Sequence, residues 1–268
     1  MEQAVRQDGM ALPHICLTID GMDKCKWLVP RSLENSKKMG ALWRPALHFV
    51  GVLVPGILEY YALLEADQKG DSDTQQTLLA RALDLCETEL RRHGKEMPRS
   101  CILNFDNTAK EGRNSQVLLF AATLVLKERF DEVTLALYRV GHTHNRLDQR
   151  FGVIASKLSQ AVCLQTPDDY VGWLKEQYRP ARNVALHIEV LKGIHLWREA
   201  LKPLDVHFLG MQGTNTTADA AHVLRVLRRD LVAAALPNVA VDFQGPGILA
   251  QTPVLLAEPE GAKAPLEC

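Results

Sequence analysis

The apolar positions fall into a succession of short runs at strand spacing and longer runs at helical spacing. Residues 14–19 read as a first strand, ending at Asp20-Gly21-Met22-Asp23, where glycine lets the backbone turn beside the acids. Residues 46–54 and 57–64 are apolar runs separated by Pro55-Gly56 and predict a hairpin, so the early chain reads as three antiparallel strands. Leu78, Leu79, Ala82, Leu83, Cys86 and Leu90 mark one face of a helix that starts near an Asp or Ser cap and ends around Gly94. Residues 100–105 predict a fourth strand. Residues 117–126, apolar nearly all round, predict a helix covered on both sides, with Ser115 as its cap. Val133, Leu135, Leu137 and Val140 predict a fifth strand, and Phe151, Ile154, Leu158 and Val162 recur at helical spacing after it.

Beyond Thr166-Pro167 the pattern restarts on a smaller scale. Residues 170–178 predict a short helix, Val184, Leu186, Ile188 and Val190 a strand, 195–201 a helix, 206–209 a strand, and 218–235 a basic amphipathic helix whose Arg225, Arg228 and Arg229 read as a solvated face, with nucleic-acid backbone contact as the lesser alternative. The reading is an α/β domain over residues 14–165, a small α+β unit over 167–235, and a loose tail over 236–268, which holds five of the thirteen prolines. Residues 1–13 carry no period, as expected of a piece cut from a larger protein.

Composition narrows the function classes. Of 268 residues, 47% are apolar and 24% charged, near globular averages, which excludes wholesale disorder and collagen-like or coiled-coil architectures. A net charge of -1 argues against a uniformly basic coat for nucleic acid and leaves room for a local patch. One such stretch runs from Lys24 to Arg44, where Lys24, Lys26, Arg31, Lys37, Lys38 and Arg44 face only Glu34, with Trp27 and Trp43 between them. That composition suits base stacking and phosphate contact; it also suits a solvated loop with both tryptophans on the core. The six cysteines stand singly, without a CxxC pair, as reduced thiols do in a nuclear or cytoplasmic protein. No signal profile and no apolar run of ~18 to 20 residues is present, so a membrane partner is not expected.

Candidate chemistry concentrates in Gly141-His142-Thr143-His144-Asn145-Arg146-Leu147-Asp148-Gln149-Arg150-Phe151-Gly152, at a strand-to-helix junction. There Asp148 falls in the first helical turn with His144 one turn earlier. Asp20 and Asp106 stand in comparable places at the ends of the first and fourth strands. Three carboxylates from separate elements suit two hard divalent ions, Mg²⁺ or Mn²⁺, for attack on a phosphodiester. Asp20 on the central strand would bridge the ions, with Asp106 and Asp148 holding one each. Each acid also has a bland reading: Asp20-Gly21 is a common turn, and Asp106 suits an Asx-turn. Asp23 competes with Asp20. His142, His144 and Asp148 would alternatively form a mononuclear transition-metal hydrolase site. Neither a Gly-x-Ser-x-Gly motif nor a glycine-rich phosphate loop is present. Three antiparallel strands followed by helix, strand, helix, strand, helix is the succession of a ribonuclease-H-like mixed five-stranded sheet.

The sequence resembles a transposon-derived family marked by Asp-Gly-Met-Asp, Asp-Asn-Thr with a later Asn, and Gly-His-Thr-His-x-x-x-Asp-x-x-Phe. The matching residues are 20–23, 106–108 with Asn114, and 141–151. That family is similar to DDE-type transposases and integrases of the ribonuclease-H-like superfamily. The resemblance covers residues 14–165 and implies a polynucleotidyl transferase or nuclease with Asp20, Asp106 and Asp148 as its catalytic, metal-binding set. Asp23, Asn107, Asn114, His142 and His144 are further candidates. Nucleic acid, in the first place DNA, is the implied partner, with Lys24, Lys26, Arg31 and Arg113 as contacts and a second copy of the chain as a candidate subunit. The sequence has no recognisable N-terminal DNA-binding module, and its third acid is Asp. A truncated or domesticated descendant, or an inactive binding scaffold, fits these departures.

Overall fold

Two strands joined by Pro55-Gly56 seed the architecture: Gly56 takes the left-handed conformation (φ 75°) that the turn requires, and the Ile57 N–H donates to Val54 O at 3.0 Å. The structure, a computed structural model, describes residues 12–32, 43–105, 115–137, 146–161, 163–205, 223–227, 241–242 and 254–255. In chain order these form β1 (Ile15–Met22), a 3₁₀ turn (Lys24–Lys26), β2 (Arg31–Ser32), β3 (His48–Val54), β4 (Leu58–Leu64) and α1 (Ser72–Arg92). There follow β5 (Ser100–Phe105), α2 (Ser115–Leu126), β6 (Glu132–Leu137), α3 (Arg146–Leu158), β7 (Cys163–Leu164) and α4 (Pro167–Gln177). The last elements are β8 (Ala185–Val190), α5 (Trp197–Asp205), β9 (Val223–Leu227), β10 (Val241–Asp242) and β11 (Val254–Leu255).

The chain is a mixed α/β protein built on a seven-stranded sheet in the order β8-β4-β3-β1-β5-β6-β9. β3 runs antiparallel to its neighbours β1 and β4, β5 is parallel to β1, and β6 is parallel to β5. β2 pairs with β7, and β10 with β11, as separate two-stranded ribbons. Strand alternation sends side chains to two apolar layers. One layer packs Ile15, Leu17, Ile19, Val52, Tyr60 and Leu103 of the sheet against α1, α2 and α5. The other packs Met22, Phe49, Leu53, Tyr61 and Leu63 against α3 and α4, with Trp27 stacked on Phe49 at 4.0 Å between ring centroids. α2 is buried nearly all round, as its sequence requires.

Helix boundaries follow local chemistry. Asp71 caps α1 by accepting the Thr74 N–H at 3.3 Å, and Gly94, at φ 65°, follows the helix end. Thr166 and Asp169 form a reciprocal capping box at the start of α4, beside Pro167 at its first position.

Several expectations need correction. β1 does not stop before Asp20: pairing with β3 carries it through Met22, so Asp20 lies within the strand. The helix expected over residues 218–235 is not what the described part adopts, because residues 223–227 form β9 and pair antiparallel with β6. The open edge of β6 supplies hydrogen-bond partners that local spacing cannot foresee, and Arg225 donates to Glu132 Oε1 at 2.5 and 2.8 Å. Both described strands of the 167–235 stretch lie in the same sheet as residues 14–165: β8 pairs parallel with β4, and β9 forms the opposite edge. Of the two tryptophans expected on the core, Trp27 is buried and Trp43 is 86% exposed. The strand expected at 206–209 lies outside the described residues, as do Val140 and Val162. Among the described residues, no helix is long and apolar enough to cross a membrane.

Candidate functional site

Asp20 sits in the middle of the sheet, directly opposite Gly51 of β3. Residues opposed in an antiparallel pair present their side chains on one face, so the missing side chain of Gly51 marks open space beside Asp20. α3 fills that space. A Cβ on Gly51 would lie 2.8 Å from Leu147 Cδ1, 3.1 Å from Tyr61 Cε1 and 3.2 Å from Phe151 Cε1. Glycine is therefore what lets the first turn of α3 rest on the sheet. Leu147 is fully buried in this seat, and the next residue, Asp148, is half-buried. Two of the three expected carboxylates thus belong to elements that both adjoin Gly51: β1 pairs with it and α3 packs on it. The Gly21 N–H donates to Asp20 Oδ1 at 2.7 Å, and both Asp20 and Asp148 have further interactions.

On the other side of β1 the parallel register pairs Thr18 with Asn104. The Asn104 amide donates to Cys16 Sγ at 3.0 Å and to Thr18 Oγ1 at 3.3 Å, tying β5 to β1. Burial pushes the Cys16 thiol up, with the Asn104 contact partly opposing. In sequence Asp20 and Asp106 each stand two residues past this registered pair. Asp106 itself lies outside the described residues, together with Asn107, Arg113, Asn114, His142 and His144. Among the described residues, no three His, Cys, Asp or Glu side chains group as a metal site. Asp23 is engaged as a cap: it accepts the Cys25 N–H at 3.0 Å, and that bond holds its carboxyl below the usual range.

Sequence reasoning missed a buried polar cluster beneath α3. Glu59 of β4 is 1% exposed. The Tyr61 hydroxyl donates to its Oε2 at 3.1 Å, the Tyr178 hydroxyl donates to the same oxygen, and Arg150 Nη2 of α3 stands 3.3 Å from Oε1. Tyr61 and Tyr178 are 3.3 Å apart at their hydroxyls. Burial and the Glu59 charge push both phenols well above their ordinary value, so they remain donors. The signal in the sequence was a lone carboxylate inside Leu58-Glu59-Tyr60-Tyr61-Ala62-Leu63-Leu64, a run otherwise fit only for a core strand.

The described parts of the basic stretch, residues 24–32 and 43–44, make backbone contacts. Arg31 Nη1 donates to Lys26 O and Arg44 Nη1 to Pro30 O, each at 3.2 Å, while Lys24 and Lys26 are exposed. The stretch is anchored through Trp27 in the core and through Tyr170, whose hydroxyl donates to Leu28 O at 2.7 Å. Burial pushes that phenol up to about 12. Lys24 and Lys26 thus directly follow the end of β1 that carries Asp20 and Met22.

Compared with curated proteins, the chain matches none. A family model matches residues 37–215, a span that includes Asp106 and Asp148 and leaves Asp20 outside it. With two thirds of its length in that match, the chain belongs to the family described as a domain of unknown function, DUF7869.

Proposed function

We propose that this chain is a transposase- or integrase-like polynucleotidyl transferase or nuclease of ribonuclease-H-like ancestry, with Asp20, Asp106 and Asp148 as its metal-binding acids. The observation that carries this reading is the seat of α3. The first turn of that helix, bearing Asp148, rests on Gly51, the residue opposite Asp20. The sheet supports it as well. The order β4-β3-β1-β5-β6, antiparallel in its first three strands of sequence and parallel in the next two, is the order expected of a ribonuclease-H-like core.

The donor set fits hard cations, since carboxylate oxygens favour Mg²⁺ or Mn²⁺ over softer metals. When bound, such ions supply Lewis acidity for attack of a water or 3′ hydroxyl on a phosphodiester and for the departing oxygen. Asp20 contributes from a rigid central strand and Asp148 from the helix laid beside it. Lys24 and Lys26 follow β1 directly and are exposed, and with Arg31 and Arg44 they would neutralise backbone phosphates of a DNA strand. Trp43, 86% exposed, offers a stacking surface beside them.

The test is cleavage or strand transfer on end-labelled DNA with Mn²⁺ or Mg²⁺. Asp20→Asn, Asp106→Asn and Asp148→Asn should each lower the rate by roughly 10³-fold or more while leaving the fold intact. Activity that prefers Zn²⁺ or Fe²⁺ and disappears in His142→Ala would assign a mononuclear hydrolase instead. Absence of any metal-dependent turnover together with absence of divalent-ion binding would leave a binding scaffold.

A further inference from the structure

The seat of α3 leaves a mechanical question. The apolar contacts of Leu147, Phe151, Ile154 and Leu158 hold the helix on the sheet, yet such contacts are non-directional, and Gly51 offers no side chain to register against. A directional contact lies two residues beyond Asp148. Arg150 reaches the buried Glu59 of β4, and Glu59 is itself fixed by the hydroxyls of Tyr61 on its own strand and Tyr178 just past α4. The chain of contacts runs from the end of α4 through β4 to the second turn of α3.

We propose that Glu59 and Arg150 are positioning residues: their ion pair sets the placement of the first turns of α3 on the sheet, and through it the position of Asp148. The part concerning Asp148 rests on reading that residue as a metal ligand. Burying a carboxylate at 1% exposure is a poor way to stabilise a core, because an apolar residue of similar size serves stability as well or better. What the ion pair adds is geometry. A guanidinium fixed against a carboxylate whose other oxygen is held by two phenols has few alternative arrangements. The tyrosines keep Glu59 in place, Glu59 keeps Arg150 in place, and Arg150 fixes how far α3 is rotated over β3 and β4.

The experiment uses the full chain and its Glu59→Gln, Arg150→Met and double variants, with two readouts. Amide hydrogen exchange over residues 146–152 reports helix placement, and calorimetric titration with Mn²⁺ reports the metal site. Each single variant should exchange at least about tenfold faster in α3, with α2 and β5 unchanged, and should bind Mn²⁺ about 10- to 100-fold more weakly. The double variant leaves no unpaired buried charge, so its urea midpoint should recover towards wild type while α3 exchange and Mn²⁺ binding stay impaired. Wild-type exchange in the single variants overturns the proposal. So does a double variant in which exchange and Mn²⁺ affinity recover along with stability, since the pair would then be structural only. A wild-type chain that binds no Mn²⁺ defeats the metal reading of Asp148, and the exchange data then decide the placement role alone.

Discussion

Gly51 illustrates how a residue without a side chain can define a site. Its absent Cβ is the space that Leu147, Tyr61 and Phe151 occupy, so Gly51→Ala must displace atoms already packed at 2.8 to 3.2 Å from that position. The expected cost is about 1–3 kcal/mol in urea denaturation, with a weakened divalent-ion response if the seat of α3 matters to the site. Tyr178→Phe addresses the neighbouring cluster. It removes one donor from the buried Glu59 oxygen and, among the described residues, leaves Tyr61 on that atom, for an expected loss of about 1–3 kcal/mol in the same measurement. Sequence reading singled out Asp20 and Asp148 as candidates because acids beside apolar runs stand out. It passed over Gly51, Glu59 and Arg150 because their meaning lies in pairing between elements distant along the chain.

Elements whose boundaries are encoded locally were legible. Pro55-Gly56 set the hairpin, Asp71 and Gly94 bracketed α1, and the strand at residues 100–105 matches β5 residue for residue. Apolar spacing starts α4 three residues late, at 170, although its signal is local: Thr166 and Asp169 form the capping box, and Thr166→Ala should remove it at a cost of about 1 kcal/mol, visible as a lower thermal midpoint. β1 and β9 show the opposite case. Asp20-Gly21 is turn-like in isolation, and Arg225 with Arg228 and Arg229 further along the sequence suits a basic helix face, yet a neighbouring strand edge decides both Asp20-Gly21 and residues 223–227. Tertiary hydrogen bonding outweighed local preference wherever a sheet partner was on offer.

At the scale of the whole molecule, the second polar cluster ties the late chain to the early one. Glu189 of β8 accepts from the Tyr60 hydroxyl at 2.7 Å and pairs with Arg81 of α1 at 2.5 and 2.7 Å, with His187 3.6 Å away. Burial alone would raise the Glu189 carboxyl, but His187, Arg81 and Tyr60 together bring it well below its ordinary 4.5. Its folded value is the lower one, so its contribution is fully present above pH 4.5 and is lost as pH falls from there through the depressed folded value. Urea midpoints measured across the acid range should therefore fall more steeply for wild type than for Glu189→Gln. A parallel slope in the two proteins would remove Glu189 from the acid transition. The same docking has a consequence for handling the protein. β4 is buried along its whole length, and β8 covers its outer edge from Leu58↔Ala185 to Leu63↔Val190. A chain cut after residue 165 would bare that edge, with its apolar side chains and unpaired amides and carbonyls, as a template for intermolecular strand addition. Such a truncation should come out of expression as aggregate, detectable by light scattering, while the chain that keeps β8 stays dispersed.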